Sequence, residues 1–366
     1  GGFTTICCMP NTNPPLDNQV AIDYIKSTAA QEGVVRVLPI GCISQSRKGE
    51  GLAEMGELAS AGVIAYSDDG NPVLNSHLMR QALDYSCAFN LPVIDHCEDT
   101  SLTEGGAMNE GLVAIRLGLV GIPSQAEEIM VFRDIALAEL TGGRVHIAHI
   151  STRGSVELIR QAKEKGINVT AEVTPHHLTM TEERVLGNKE FPHPLPLDPN
   201  AKVKPPLRTR MDIEALIEGL RDGTIDAIAT DHAPHTIADK MCEFSLASFG
   251  ISGLETAFGS LMGLVHSGKL DLAMLISKLT IEPAKIIGAA LGTLKVGSPG
   301  DVVIFDPNLE WVVDPASFAS KGKNTPLAGS LLKGRVMATI YGGEVVYRDD
   351  HLRMEMTPSF KEGVQE

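Results

Sequence analysis

Residues 124–150 read SQAEEIMVFRDIALAELTGGRVHIAHI. Over 124–140 the apolar residues Ile129, Phe132, Leu137 and Leu140 recur at helical intervals, so a helix is predicted there. The β-branched run RVHIAHI (144–150) follows and reads as a buried strand, yet it ends on a histidine. A helix feeding a buried strand is half of a βα repeat, and the rest of the chain shows whether the unit recurs.

It recurs. Similar short runs occur at FTTICCM (3–9), VVRVLPI (34–40), VIAYS (63–67), PVIDH (92–96), INVTAEV (167–173) and TIDAIAT (224–230), with helical spacing between them. Strands buried on both faces and separated by helices form parallel sheets, and this many units favours closure into an α/β barrel of the (β/α)8 type. Seven strands are predicted where a closed barrel needs eight. Because the chain opens GGFTT without an initiator Met, the first strand is expected in an upstream piece. From about Leu291 the pattern changes to alternating strands, LGTLKVGSPGDVVIFDP and GRVMATIYGGEVVYRDD, the latter carrying a Gly342-Gly343 hairpin signal. The expectation is therefore a barrel over 1–290 and a small β-domain over 291–366. The intervening stretch from Glu310 to Gly334 reads as a loop, with the lone Trp311 near its start as a packing residue.

Composition narrows the function. The 366 residues are 43% hydrophobic, enough for a large core, and the net charge of -15 with no basic run disfavours nucleic acid. GLVAIRLGLVGIP (111–123) is too short to span a membrane and is broken by Arg116, and no signal peptide opens the chain, so a cytoplasmic location is expected. Six cysteines without a C-x-x-C pair read as reduced buried thiols.

In a parallel α/β barrel the reacting groups sit at the C-terminal strand ends. Here those ends are polar: Asp68 and Asp69; Asp95, His96, Glu98 and Asp99; His149 and Ser151; Glu172, His176 and His177; Asp231, His232 and His235. A single strand-end Asp or His is more often a cap or a satisfied polar group. Four or five ends converging on one mouth form an imidazole and carboxylate set suited to Zn²⁺ or a similar divalent ion.

MPNTNPP (9–15), YSDDGNPV (66–73), DHCED (95–99), HIAHIST (146–152), AEVTPHHL (171–178), KPPLR (204–208), ATDHAPH (229–235) and NTPLAG (324–329) together resemble the bacterial dihydroorotases of the amidohydrolase superfamily, in order along the whole chain. The resemblance implies zinc-dependent interconversion of N-carbamoyl-L-aspartate and L-dihydroorotate in pyrimidine synthesis, with one or two metals. Residue by residue, it implies Asp69 as the bridging ligand, where hydantoinases use a carboxylated lysine, and His96 and His149 as ligands of one metal. Asp231 would be a ligand of the other metal and the general acid/base. Asn11 and His235 would bind the substrate carboxylate, and Gly250 would offer backbone contact from a loop (235–256) that folds over the substrate. The H-x-H-L-R motif of the family has no counterpart in this chain, and Lys204 stands where many relatives have asparagine.

The other polar residues carry plainer expectations. His232 shapes its loop by hydrogen bonding, and His176 and His177 either orient ligands or pack the loop. His146 is turned by strand alternation away from His149, into the core or toward the helices, and Asp68 is a turn residue. His77, His193, His266 and His351 belong to the surface. Two other functions stay open: a non-catalytic subunit that supports aspartate transcarbamoylase, and a relative acting on another cyclic amide such as allantoin or a hydantoin. A homo-oligomer is expected, dimers being the commonest soluble assembly.

Overall fold

The computed structural model describes residues 1–187 and 196–350; His193 and His351 lie outside these residues. The strands are β1 (Thr5–Cys8), β2 (Arg36–Pro39), β3 (Tyr66–Ser67), β4 (Val93–Asp95), β5 (Met108–Asn109), β6 (Gly121–Ile122), β7 (Val145–Ile147), β8 (Val169–Val173), β9 (Ala227–Ile228), β10 (Val302–Val312), β11 (Leu331–Tyr341) and β12 (Glu344–Arg348). All seven runs picked from the sequence contain a strand. β1 pairs with β2, and β3-β4-β7-β8-β9 form one parallel sheet in that order. A parallel bridge between Gly41 and Tyr66 carries the ladder from the end of β2 to β3. The strands thus follow chain order, as right-handed βα connections dictate.

The helices between them start where the sequence supplies a cap. Asn18 accepts from Ala21 N, Asn75 from His77 N and Leu78 N, and Thr152 from Ser155 N, while Thr209 and Asp212 form a reciprocal capping box. Val131, Ile147, Ile159, Leu216 and Ile228 belong to a large core between strands and helices. The predicted helix over 124–140 forms as Gln125–Thr141, one residue displaced from the sequence reading. Ile129, Phe132 and Leu140 are exposed, and the buried face holds Ala126, Glu127, Met130, Val131, Asp134, Ile135 and Ala138. Both faces are rich in apolar residues, so spacing alone could not choose between them.

Two further corrections concern strands. The pair β5 and β6, only two residues each, was not foreseen. The region read as a loop is shorter than expected, because β10 runs through Trp311 to Val312 and β11 begins at Leu331. β10, β11 and β12 form an antiparallel sheet whose last hairpin turns at Gly342 and Gly343, both at positive φ. Trp311 does pack: its Nε1 donates to Gly334 O at 3.0 Å, and its ring lies beside Gly259 of the Ala257–His266 helix. No helix among the described residues is long and apolar enough to cross a membrane.

Candidate metal centre

The ends of β3, β4 and β7 bring three of the expected residues together. His96 Nδ1 and His149 Nε2 lie 2.9 Å apart, and Asp69 Oδ1 is 4.0 Å from the first and 3.7 Å from the second. Ligands about 2.1 Å from a tetrahedral cation stand roughly 3.4 Å from one another. The three observed separations bracket that value, so the donor atoms fit a common divalent ion. Asn11 Nδ2 donates to Asp69 Oδ2 at 3.3 Å, which places Asn11 on the rim of the cluster.

The electrostatics agree. Burial opposes a charge on His149, yet hydrogen bonding to Asp69 and the fields of Asp231, Asp69 and Glu172 push its pKa up to about 9. Burial also opposes ionisation of Asp69, but the two histidines prevail and hold it below the usual carboxylate range. The cluster therefore attracts positive charge. His149 Nδ1 is buried with no hydrogen-bond partner, and His149 itself has φ of +35°, a left-handed conformation uncommon outside glycine.

Asp231 lies outside this three-residue cluster, with its Oδ2 4.0 Å from His176 Nε2. It too has a left-handed backbone, at φ +45°. Burial, with Asp69 and Glu172 adding to it against His149 and His96, raises its pKa to about 6. His176 is buried, its Nε2 has no hydrogen-bond partner, and burial keeps the ring neutral. Of the two histidines left open by sequence, His176 thus faces Asp231, whereas His177 is tied to Thr174 and to the Pro205 carbonyl. His232 Nδ1 accepts from Gly253 N at 3.2 Å, the loop-shaping role expected of it.

His235 Nε2 is 2.7 Å from Phe249 O, and its backbone N–H donates to Asn324 Oδ1. Gly250 adjoins it with φ of +139°, where an added Cβ would fall 2.7 Å from Ala233 Cβ and 2.9 Å from His235 Nε2. The 235–256 loop is anchored. Lys240 Nζ is buried and donates to Pro199 O, Lys202 O and Ser248 O at 3.1, 3.3 and 2.6 Å.

Several groups beside the cluster were missed or underrated. Glu98 Oε2 is 3.1 Å from His96 Nε2, and Glu98 Oε1 is 2.6 Å from Lys204 Nζ. Burial opposes that charge, but His96, Lys204 and Thr103 together hold Glu98 near a pKa of about 2. Lys204 is thus placed at the site, its ammonium also 5.2 Å from the Phe249 ring centre. Asp68 is more than a turn residue: it is buried, accepts from Ile43 N and Ser44 N at 3.0 Å, and so ties the end of β2 to β3. His146 is buried as expected, but against polar partners, Thr170 Oγ1 at 2.8 Å and Glu172 Oε2 at 3.1 Å. A second acid and thiol group, Asp95, Cys97 and Asp134, surrounds a cation already present, the Arg133 guanidinium, 3.2 Å from Asp95 and 2.6 Å from Asp134.

Comparison with known proteins adds to this geometry. A dihydro-orotase-like family profile matches residues 1–155. A dihydroorotase from Thermoanaerobacter sp. (strain X514) is 55% identical over 96% of this chain and 79% of its own length. One from Pelotomaculum thermopropionicum is 54% identical over 96% of this chain and 81% of its length. Among solved structures, the L-hydantoinase (dihydropyrimidinase) from Arthrobacter aurescens superposes with a TM-score of 0.83 at 27% identity, covering 95% of this chain and 78% of that one. A D-hydantoinase from a Bacillus sp. AR9 superposes with a TM-score of 0.79 at 23% identity, over 95% of this chain and 78% of that one, and shares the fold.

Proposed function

The chain belongs to the dihydroorotase family of cyclic-amide hydrolases, which interconvert N-carbamoyl-L-aspartate and L-dihydroorotate in pyrimidine synthesis, and from that premise we propose how its residues divide the work. Asp69, His96 and His149 hold a divalent cation, and the convergence of their three donor atoms carries this assignment. Imidazole and carboxylate donors suit Zn²⁺. When bound, the ion supplies Lewis acidity toward the ring carbonyl and acidifies water for attack on it.

Asp231 acts as the general acid/base and as a ligand toward a second metal position. Held at the mouth by the strand end after β9, its carboxylate takes the proton from the attacking water and returns it to the departing ring nitrogen. Its raised affinity for a proton supports that role. Asn11, His235 and the backbone at Gly250 orient the substrate carboxylate and exclude water around it. His235 and Gly250 already adjoin each other, and Asn11 bonds to Asp69. A homo-oligomer and a cytoplasmic setting complete the reading, the latter in keeping with six free cysteines, of which Cys42 and Cys97 are buried as expected whereas Cys7, Cys87 and Cys242 are exposed, against the sequence reading.

The test is metal content together with turnover in both directions, for the protein and for His149→Ala and Asp69→Asn. Bound zinc and turnover that fall together in the variants support the assignment. Full zinc occupancy with Asp69 and His149 replaced would refute it. Turnover of hydantoin or allantoin without turnover of dihydroorotate would favour a related cyclic amidohydrolase. Co-purification with aspartate transcarbamoylase in the absence of turnover would favour the non-catalytic subunit.

A further inference from the structure

The inward face of the Gln125–Thr141 helix carries charge where an apolar side chain would cost less. Glu127 is buried and Asp134 fully so, and the side chain of Arg133 is 14% exposed. Burying ionised groups is unfavourable unless each is paired and hydrogen-bonded. The pairing here has a direction: apart from the Arg133–Asp134 pair within the helix, the partners lie close in sequence to one of the three residues of the metal cluster.

Glu127 serves His149. Its carboxylate accepts from Ser151 N at 3.0 Å, Thr152 N at 3.2 Å, Ser155 Oγ at 2.6 Å and Ser151 Oγ. Ser151 stands two residues after His149, whose left-handed backbone persists only where its surroundings over-determine it. Arg133 serves the other two. Its guanidinium donates to Val73 O and Leu74 O in the loop that leaves Asp69, and to Asp95 Oδ2, the residue before His96, at 3.2 Å. Asp95 Oδ1 in turn accepts from Val73 N at 3.4 Å, closing the loop onto β4. On the other side of His96, Cys97 Sγ donates to Asp134 Oδ2 at 3.4 Å, and Asp99 N donates to Ala126 O at 2.8 Å.

We propose that Glu127 and Arg133 are positioning residues, and that the Gln125–Thr141 helix is a single bracket setting the separations of Asp69, His96 and His149. The inference rests on the metal-ligand reading above. Groups that orient metal ligands typically change metal affinity 10- to 100-fold when removed. Neither residue needs to touch the ion to do so.

The experiment follows Co²⁺ in the loaded protein, by its visible spectrum and by its rate of extraction into excess EDTA. Glu127→Gln keeps the shape but replaces an acceptor oxygen with an amide donor. Arg133→Met keeps the stem and removes the guanidinium. Each is expected to release Co²⁺ at least about tenfold faster and to alter the spectrum, with Arg133→Lys recovering part of the loss. Val131→Ala loosens the same helix without touching either anchor, and is expected to release Co²⁺ at close to the unaltered rate. Where Glu127→Gln does not fold, Ser151→Ala with Thr152→Val removes the hydroxyls from the opposite side and must show the same faster release. Release and spectrum unchanged in Glu127→Gln or in that substitute pair would overturn the bracket, as would an equal effect from Val131→Ala. Failure of the underlying reading looks different: Asp69→Asn and His149→Ala would then leave Co²⁺ binding intact.

Discussion

At Gly250 a single hydrogen atom in place of a side chain leaves room for the His235 ring. Its φ of +139° is open to glycine, and a Cβ there would press on Ala233 and on the His235 ring. Strain of this kind costs about 1–3 kcal/mol. The loop is held elsewhere, so the cost falls on the position of His235 rather than on global folding. Gly250→Ala is expected to raise KM for dihydroorotate about tenfold, the equivalent of about 1.4 kcal/mol, with a smaller change in kcat. Steady-state kinetics check this, and an unchanged KM would remove Gly250 from the substrate site. Asp231→Asn is expected to fail in the opposite way. KM changes little while kcat falls at least about 100-fold in both directions, because general acid/base catalysis contributes factors of that order. That polar strand ends would share one mouth was legible in the sequence, and the resemblance to the dihydroorotases singled out Asp69, His96 and His149 among them. Glu127 and Arg133 were not, since a charged residue on an amphipathic helix reads as solvated until its partners are known. Lys204 was visible as a departure from the family, but its pairing with Glu98 depends on two loops distant in sequence.

Among the elements, the connection between β10 and β11 does more than join them. Asn324, from the NTPLAG stretch, is buried and makes four hydrogen bonds: Nδ2 to Ala233 O and Gly250 O at 3.0 and 3.1 Å, and Oδ1 from His235 N and Ser252 Oγ at 2.9 and 2.8 Å. It thereby fastens the segment after β9 to the loop bearing Gly250. Each buried group left unpaired costs about 1–3 kcal/mol. Asn324→Leu, similar in size and unable to bond, is expected to lower the unfolding free energy by about 3 kcal/mol and to weaken substrate binding as well. Urea unfolding and KM check the two effects. A loss of stability without any change in KM would make the contact purely structural. The strand positions around this junction could be read because β-branched runs mark them. β5 and β6 could not, being too short to show a period, and the outward turn of Ile129, Phe132 and Leu140 depends on what the neighbouring elements offer for burial.

For the whole molecule, the cation and the fold are coupled. Asp69, His96 and His149 follow three adjacent strands, β3, β4 and β7, with Asp231 and Glu172 close enough to act on them electrostatically. In a chain of net charge -15, the histidines offset these acids only in part, and a bound divalent ion adds to the counter-charge. An ion that binds the folded chain alone stabilises it by mass action, by about 2.7 kcal/mol at a free concentration 100 times its dissociation constant. Removing it with EDTA is therefore expected to lower Tm by several degrees and restoring Zn²⁺ to recover it; calorimetry at fixed protein concentration measures both. Asp69→Asn should lose on both counts. Its metal-free form loses the pairing that lowers the Asp69 pKa and raises that of His149, so it should melt below the unaltered metal-free protein, and added Zn²⁺ should raise its Tm far less. If EDTA left the Tm of the unaltered protein where it was, no bound ion would be joining the three strands, and the three donors would owe their closeness to the helix behind them alone.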